Sequence, residues 1–185
     1  MIDNEKSLIQ SFYESHHEDG QRLKQSFLEN RRGLLFAAWI GINKKVLDLG
    51  GRDGTLTKHF IEKNNVTLAD IDENALEYAK RNYKVETMRV DLNQSLPFKD
   101  NSFDVVISVT TLHNLEVDDL IKSLQEIERV ARHGSFITVD AYRDEQEKAR
   151  MDAWNLTAKT IMSVDEWVAF FKEVGYTGDY FWFVP

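Results

Sequence analysis

Short apolar runs alternate with amphipathic stretches along the chain after residue 44. Apolar runs of four to eight residues bounded by turn residues are typical of strands that are covered on both faces. Such runs predict strands over residues 45–49, 66–71, 85–90, 104–109, 136–141 and 180–184. Apolar residues at helical spacing between them predict helices over residues 55–63, 73–82, 117–131 and 163–174. The alternation predicts β-α-β units and an α/β fold with a doubly wound, mostly parallel sheet.

Capping residues mark several of the predicted helix ends. Thr55 is the predicted N-cap of the first of these helices, because its hydroxyl can accept a hydrogen bond from a free backbone amide. Ser163, with Glu166 three positions later, predicts a capping box for the last helix. Gly175 predicts the end of that helix, since glycine adopts the left-handed conformation that terminates helices.

The chain is predicted to form one domain. A length of 185 residues supports one full hydrophobic core, and the chain has no proline-rich linker and no internal repeat. Apolar periodicity ahead of the first strand also predicts helices over residues 4–30 and 31–40. The domain therefore divides into a helical extension, a sheet core and a C-terminal helix and strand, over residues 1–44, 45–141 and 142–185.

The charge balance and the absence of cysteine exclude several kinds of partner and site. The net charge of −8 argues against nucleic acid as a partner, because phosphate contacts need clustered lysine and arginine. Without cysteine there are no disulfides and no thiolate metal sites, and no metal site is predicted. The first residues lack the apolar core of a signal peptide, and the longest apolar run, residues 33–42, has about half of the ~20 residues that span a bilayer. These features predict a cytoplasmic protein without a membrane partner.

A glycine-rich turn with Gly50, Gly51 and Gly54 follows the first predicted strand. Glycine lets such a turn bend tightly and lets its backbone approach a ligand closely, although a simple tight turn has the same composition. The dinucleotide-binding pattern G-x-G-x-x-G fails, because Arg52 occupies the position of its second glycine. Asp48, two positions before the first glycine, suits a ligand with a cationic end better than it suits a pyrophosphate.

Acidic residues follow the second and third predicted strands. Ligands of parallel sheets bind at the carboxyl ends of the strands, which makes these residues candidates. Asp70 lies twenty positions after Gly50, the spacing at which an acid accepts hydrogen bonds from ribose hydroxyls. Asp72 is better explained as the N-cap of the next helix. Asp91 could accept from the amino group of adenine, and a solvated loop position is an equal alternative.

Four ordered segments resemble the class I S-adenosylmethionine (SAM)-dependent methyltransferases, specifically their broad small-molecule group. VLDLGGRDG (46–54) matches the family loop VLDLGCGDG, and ADIDENAL (69–76) is similar to the ribose segment VDIDENAL. DLNQSLPF followed by NSFDVVI (91–107) resembles the run DxxxLPFxxxSFDVVI. ERVARHG (128–134) resembles the turn RVLKPGG before the fifth strand. The resemblance covers about residues 45–141.

The resemblance implies transfer of the SAM methyl group to a small-molecule nucleophile, an oxygen or a nitrogen, with S-adenosyl-L-homocysteine as the product. His113, after the fourth strand, is the best-placed base for an oxygen acceptor, although a lone loop histidine is more often structural. His16 and His17 of the N-terminal extension are the next candidates. The implied cofactor-binding residues are Asp48, Gly50, Gly51, Gly54, Asp70, Ile71, Asp91, Leu92, Ser108 and, in the extension, Tyr13.

Three departures from the family pattern bear on these expectations. Arg52 replaces the central glycine of the loop, where a positive φ would cost a non-glycine residue about 1–3 kcal/mol. Asn114 stands where the family often has a second histidine. The family also has a seventh strand that hairpins back after the sixth, whereas this chain ends in the strand over residues 180–184. An exposed aromatic edge needs cover, which we expect from a homodimer through this strand, from the N-terminal helices or from a following domain.

Two other classes of function stay open. A non-catalytic protein of the same fold that binds a partner is the main alternative, and it is supported by Arg52, Asn114 and the missing strand. A nucleotide-dependent oxidoreductase is the third, and Asp48 and the failed dinucleotide pattern argue against it. Substrate choice is expected from segments outside the sheet core, residues 1–44 and 142–165, and the acidic composition favours a small metabolite.

Overall fold

A single parallel sheet organises the chain. The computed structural model describes residues 31–184, with the backbone alone at residue 154. Its strands are β1 (Lys45–Leu49), β2 (Asn65–Asp70), β3 (Glu86–Arg89), β4 (Phe103–Val109), β5 (Ala131–Tyr142), β6 (Met162–Ser163) and β7 (Asp179–Phe183). The sheet order is β3-β2-β1-β4-β5, and both β6 and β7 pair with the outer edge of β5. All pairings among the described strands are parallel.

Helices connect the strands and confirm the predicted α/β fold. The described part of the chain begins in a helix, α1, over residues 31–40, as predicted. The further helices are α2 (Glu73–Tyr83), α3 (Val117–Val130), α4 (Glu145–Trp154) and α5 (Val164–Val174). The helix predicted over residues 4–30 lies outside the described residues.

The prediction of a helix over residues 55–63 is wrong. Two single 3-10 turns, Thr57–His59 and Ile61–Lys63, occupy this connection, and Phe60 between them leaves the helical conformation at φ −132° and ψ −1°. Thr55 is not an N-cap, because the first 3-10 turn follows Leu56 and no side chain caps it, while the amide of Thr55 donates to Asp53 Oδ1 at 3.1 Å. The hydroxyl of Thr57 donates a hydrogen bond to the carboxylate of Asp48, so a tertiary contact sets the geometry of this segment.

The predicted caps of α5 are confirmed. Ser163 Oγ accepts from the amide of Glu166 at 3.2 Å, and the Glu166 carboxylate accepts from the amide of Ser163 at 2.7 Å. Gly175 ends the helix at φ +75°. The Asp72 side chain caps α2, as expected, by accepting from two backbone amides. Helix α4 and strand β6 were not predicted from the sequence.

Apolar side chains cover both faces of the sheet. On one face, Leu47 and Ile137 pack with α3 and α5, and the fully buried Trp167 belongs to this cluster. On the other face, Leu68 and Ile107 pack with α1 and α2. Because both faces are covered, the central strands are mostly apolar until they reach their carboxyl ends, with the buried Thr67 of β2 as an exception. Polar groups at those ends therefore mark the edge of the sheet where a ligand can bind.

The final strand lies at an edge of the sheet. β7 pairs with β5 alone within residues 31–184, from Phe136 opposite Asp179 to Asp140 opposite Phe183. The indole Nε1 of Trp39 in α1 donates to Asp179 Oδ2 at 3.1 Å. The Phe181 side chain is 62% exposed.

Candidate cofactor site

The glycine-rich turn after β1 depends on left-handed backbone conformations. Gly50, Arg52 and Gly54 have φ values of +78°, +49° and +77°. Arg52 therefore occupies the strained position expected for it, while Gly50 and Gly54 adopt their conformations without a side-chain penalty. The Gly50 amide donates to Ala69 O at 2.7 Å, which ties the turn to the end of β2.

Asp48 lies beneath this turn and is almost fully buried, with 1% of its surface exposed. Its Oδ2 accepts from Thr57 Oγ1 at 2.6 Å. A Cβ atom on Gly51 would lie only 2.7–2.8 Å from the Asp48 carboxyl group, so glycine is needed for this close approach. Burial raises the pKa of Asp48 to about 6, against the opposing effect of the Thr57 hydrogen bond, and the nearby charge of Asp70 raises it further.

Asp70 connects the ends of β1 and β2. Its Oδ2 accepts from the amide of Arg52 at 2.8 Å, and its Oδ1 accepts from the amide of Asp72 at 2.9 Å. The residue is half-buried, and the next side chain, Ile71, is 54% exposed. The strand ends thus place a fixed carboxylate beside an accessible apolar side chain, and the role of these residues in a nucleoside site stays a prediction.

The third strand end joins the same edge. The amide of Val90 donates to Asp70 O at 2.8 Å, so the residues that follow β3 lie next to the end of β2. Asp91 Oδ1 accepts from the amide of Asn93 at 2.9 Å, and Leu92 O accepts from Ser123 Oγ of α3 at 2.8 Å. Asp91 and Leu92 are therefore held in place by their own turn and by α3.

The end of β4 contacts the glycine turn through a residue that was not predicted. Thr111 Oγ1 donates to Gly50 O at 3.2 Å, and its side chain lies where a Cβ on Gly50 would be. The preceding Thr110 has φ +53°, an unusual value for a β-branched residue, and strain of this kind clusters at functional sites. Ser108 is fully enclosed, and its hydroxyl has no hydrogen-bond partner within residues 31–184. The two adjacent threonines, Thr110 and Thr111, were the only sequence signal for this contact.

His113 lies deeper than a solvated loop histidine, with 5% of its surface exposed. Its Nδ1 accepts from the amide of Asp140 at 3.2 Å and lies 3.5 Å from Asp140 Oδ1. Burial lowers the pKa of His113 to about 4 and raises the pKa of Asp140 to about 6. The role of His113 as a base stays a prediction. Tyr13, His16 and His17 lie outside the described residues.

The structure therefore brings the predicted residues of four strand ends to one edge of the sheet. A shallow depression of about 480 Å³ lies at the opposite, amino-terminal edge, where Lys44, Lys45 and Lys63 contribute to its lining, and it is remote from these residues. Within the described residues, no cluster of three or more histidine, aspartate or glutamate side chains could hold a metal ion. Within that part of the chain, no helix has the length and apolarity needed to cross a bilayer.

Substitution of Gly50 by alanine tests the geometry of the turn. We expect a loss of about 3 kcal/mol or more in the free energy of unfolding, because the new Cβ meets the Thr111 side chain and φ is positive. Two matched controls separate these effects in chemical denaturation. In Gly41→Ala the backbone has φ +79° and no atom lies near the new Cβ, so a loss of about 1–2 kcal/mol in the free energy of unfolding is expected. Gly134→Ala has neither a positive φ nor a nearby atom. Equal losses in Gly50→Ala and Gly41→Ala would contradict the Thr111 contact.

Comparisons with known proteins point to one family. Residues 46–134 match the family model described as a methyltransferase domain. The ubiquinone/menaquinone biosynthesis C-methyltransferase UbiE of Shewanella sediminis is 28% identical over 128 residues, which cover 64% of this chain and 50% of that protein. An uncharacterized protein of Haemophilus influenzae is 32% identical over 151 residues, 72% of this chain and 59% of that protein. The chain thus spans about half the length of the curated relatives that it matches.

A solved structure shows the same fold. The YcgJ protein of Bacillus subtilis superimposes with a TM-score of 0.64 at 20% sequence identity, over 78% of this chain and 68% of that chain. At this identity the likeness concerns the fold alone. It agrees with the α/β fold of this chain.

Proposed function

Because the chain belongs to the class I SAM-dependent methyltransferases, we propose that it transfers the methyl group of SAM to a nucleophilic atom of a small molecule. The single observation that carries this proposal is the Asp70 carboxylate fixed at the end of β2 beside the glycine turn. Bound SAM supplies a methyl group that its sulfonium already activates. The protein then has to bind, orient and exclude water.

The donor and acceptor groups at the strand ends suit an adenosyl ligand. An ionised carboxylate has about four acceptor positions, and Asp70 uses two of them for backbone amides. The remaining positions can accept from ribose hydroxyls. Ile71, more than half exposed, offers an apolar face to an adenine ring, and Asp91 Oδ2 can accept from its amino group. Asp48 supplies negative charge beneath the turn for a cationic ligand end.

Removal of the Asp70 carboxylate should weaken SAM binding at least tenfold in isothermal titration calorimetry. Asp70→Ala loses the ribose acceptors and also frees the Arg52 amide that orders the turn. Glu173→Ala is the matched control, because it removes one negative charge from an exposed position at the end of α5 and leaves the turn intact. Unchanged SAM affinity in Asp70→Ala would contradict the site, and no SAM binding by the unaltered chain would favour the non-catalytic alternative.

The acceptor is proposed to be an oxygen or nitrogen of a small metabolite. The net charge of −8 disfavours polyanionic acceptors such as nucleic acids. The segment after β5 contributes α4, which packs against β5, buries Met151 fully and keeps most of its other described side chains exposed. We propose that this segment and the N-terminal extension select the acceptor, since both lie outside the sheet core.

A carbon acceptor is the second candidate, and the name of the relatives favours it. The UbiE protein is named a C-methyltransferase of ubiquinone and menaquinone biosynthesis. Burial keeps the pKa of His113 near 4, which makes it a weak base for a hydroxyl or an ammonium group. An electron-rich ring carbon does not need deprotonation before it is methylated. A radiolabelled methyl group from SAM found on a ring carbon of 1,4-dihydroxynaphthalene would support this candidate, whereas label found on its hydroxyl oxygens, or on simple alcohols or amines, would support the first.

We also propose that the outer edge of β7 is the interface of a homodimer. Tyr180 and Phe181 are 40% and 62% exposed on this strand, and an unpaired edge of this kind favours pairing with another strand. Phe181→Lys should therefore convert a dimer to a monomer in multi-angle light scattering, while Val168→Lys, on exposed α5 surface, should leave the mass unchanged. A monomeric unaltered chain would exclude this interface.

A further inference from the structure

The imidazole of His113 accepts a hydrogen bond from the main chain of β5. The amide nitrogen of Asp140 lies 3.2 Å from His113 Nδ1 and donates to it. A backbone amide always carries its hydrogen, so Nδ1 must offer a lone pair at this contact. In a neutral imidazole one ring nitrogen accepts and the other carries the hydrogen. The hydrogen of His113 therefore lies on Nε2.

The carboxyl group of Asp140 does not impose the opposite arrangement. Its Oδ1 is 3.5 Å from His113 Nδ1, beyond the roughly 2.7–2.9 Å of a charge-assisted hydrogen bond. Both side chains are more than nine-tenths buried. Burial lowers the pKa of His113 and raises the pKa of Asp140, so it opposes an ion pair between them.

Neighbouring elements fix the two residues independently of each other. Trp167 Nε1 in α5 donates to Asp140 O at 2.9 Å, and the indole is fully buried. The carbonyl oxygen of His113 accepts from the amides of Lys159 and Thr160 at 2.9 and 3.0 Å. Packing and main-chain hydrogen bonds therefore hold the amide against the ring, without any ionic attraction.

We propose that the main-chain amide of Asp140 holds His113 in the tautomer with its hydrogen on Nε2, which makes His113 a hydrogen-bond donor at the carboxyl edge of the sheet and not a base. Nε2 makes no hydrogen bond within residues 31–184. Four side-chain atoms in that part of the chain are enclosed and lack a hydrogen-bond partner, and they belong to His59, Ser102, Ser108 and Asn114. His113 Nε2 is not among these enclosed atoms. Nε2 is therefore free to donate to a ligand.

This inference rests on the proposed function and narrows its substrate class. A fixed donor beside the strand ends selects a methyl acceptor that carries an oxygen lone pair close to the methylated atom. Because His113 holds its hydrogen toward the ligand, the methylated atom has to be nucleophilic without deprotonation by this residue. Asp140 is then a positioning residue that acts through its main chain, and its carboxylate is dispensable for the tautomer.

Nitrogen-15 NMR of the full chain with ring-labelled histidine, free of SAM, tests the inference directly. The His113 signals are found by elimination, since the other four of the five histidines can be replaced one at a time. The expected result at neutral pH is an unprotonated Nδ1 and a protonated Nε2. A hydrogen on Nδ1, or a cationic ring, would overturn the inference.

The variant Asp140→Asn separates the two ways of orienting the ring. It keeps the amide and removes the carboxylate charge, so the tautomer should not change. A switch of tautomer in Asp140→Asn would show that the carboxylate orients the ring and would overturn the main-chain role. Calorimetric titration of the same samples with SAM reads the proposed function separately. If the unaltered chain does not bind SAM, the proposed function is contradicted. If the chain binds SAM and His113 carries its hydrogen on Nδ1, only this inference is contradicted.

Discussion

Replacement of Trp167 by alanine should lower the free energy of unfolding by about 3–5 kcal/mol, because a buried aromatic side chain leaves a large cavity when it is removed. Trp167 is 0% exposed and heads the fully buried side chains by volume. Its ring packs against Phe170 and Phe171, with centroid distances of 5.8 and 5.3 Å. The variant also loses the hydrogen bond from Nε1 to Asp140 O.

Chemical denaturation with two companion variants gives this prediction its controls. Val168→Ala removes an apolar side chain from the next position of α5, where it is 44% exposed, and should change stability by about 0.5 kcal/mol or less. Trp167→Phe keeps most of the ring and loses the donor, so an intermediate loss of about 1–3 kcal/mol is expected. A loss in Trp167→Ala no larger than that in Val168→Ala would show that the indole does not support the core.

Trp167 also contributes to the geometry of the candidate site. Through Asp140 O, its indole fixes the segment of β5 whose amide contacts His113. The core of the domain and the carboxyl edge of the sheet are therefore joined through the main-chain carbonyl and amide groups of Asp140. This explains why a residue of α5, far along the sequence from the glycine turn, can position a group at the ligand edge.

The strands could be predicted because burial on both faces leaves a simple signature. β4 contains Val105, Val106 and Ile107, all buried, and its predicted start differs by one residue from the observed start. Helix α4 lacked such a signature, because Met151 is the only fully buried residue among its described side chains and the others are mostly exposed and polar. Apolar periodicity cannot predict a helix that turns so little of its surface to the core.

The connection after the glycine turn shows where local reasoning fails. A helix over residues 55–63 agrees with local propensity, yet the hydroxyl of Thr57 bonds to the buried carboxylate of Asp48 nine positions earlier. The need of a buried carboxylate for a hydrogen-bond donor outweighs a weak helical preference. The sequence alone does not state which hydroxyl meets which carboxylate.

The candidate site likewise contains residues whose position could be predicted from the sequence and residues whose position could not. Asp48, Asp70 and Asp91 could be predicted because parallel topology brings successive strand ends to one edge. Thr111 and Asp140 could not, because their roles depend on contacts with Gly50 and with the ring of His113. Asp140 did leave one signal, since it is a single acidic residue within the apolar run of β5.

Replacement of Asp48 by asparagine should change the pH dependence of stability by about 3 kcal/mol. Folding raises the pKa of Asp48 from 3.8 to about 6, mainly through burial, so the folded chain binds this proton more tightly than the unfolded chain does. Asp48 therefore favours the folded state below pH 3.8, and this stabilisation is lost as the pH rises to about 6. At about 1.4 kcal/mol per pH unit, the whole change is about 3 kcal/mol.

Denaturation curves of the unaltered chain and of Asp48→Asn between about pH 4 and pH 7 measure this difference. Because asparagine does not titrate, the variant should gain stability relative to the unaltered chain as the pH rises. Glu173→Gln, with the same change of charge at an exposed site, corrects for the loss of one negative charge from the acidic surface. Parallel curves for Asp48→Asn and the unaltered chain would show that Asp48 does not titrate within this range.

The same carboxylate links proton release to cofactor binding. A cationic ligand end near Asp48 stabilises the ionised carboxylate and lowers its pKa from the value of about 6 in the free chain. In weakly acidic solution, binding of SAM should therefore release a proton from the carboxyl group of Asp48. SAM affinity should then rise with pH and level off above about pH 6, by as much as about a hundredfold if the pKa returns to its ordinary value. Calorimetry in buffers with different ionisation enthalpies counts the released protons. Since Asp48→Asn has no proton to release, a pH dependence that persists in this variant would assign the coupling to another group.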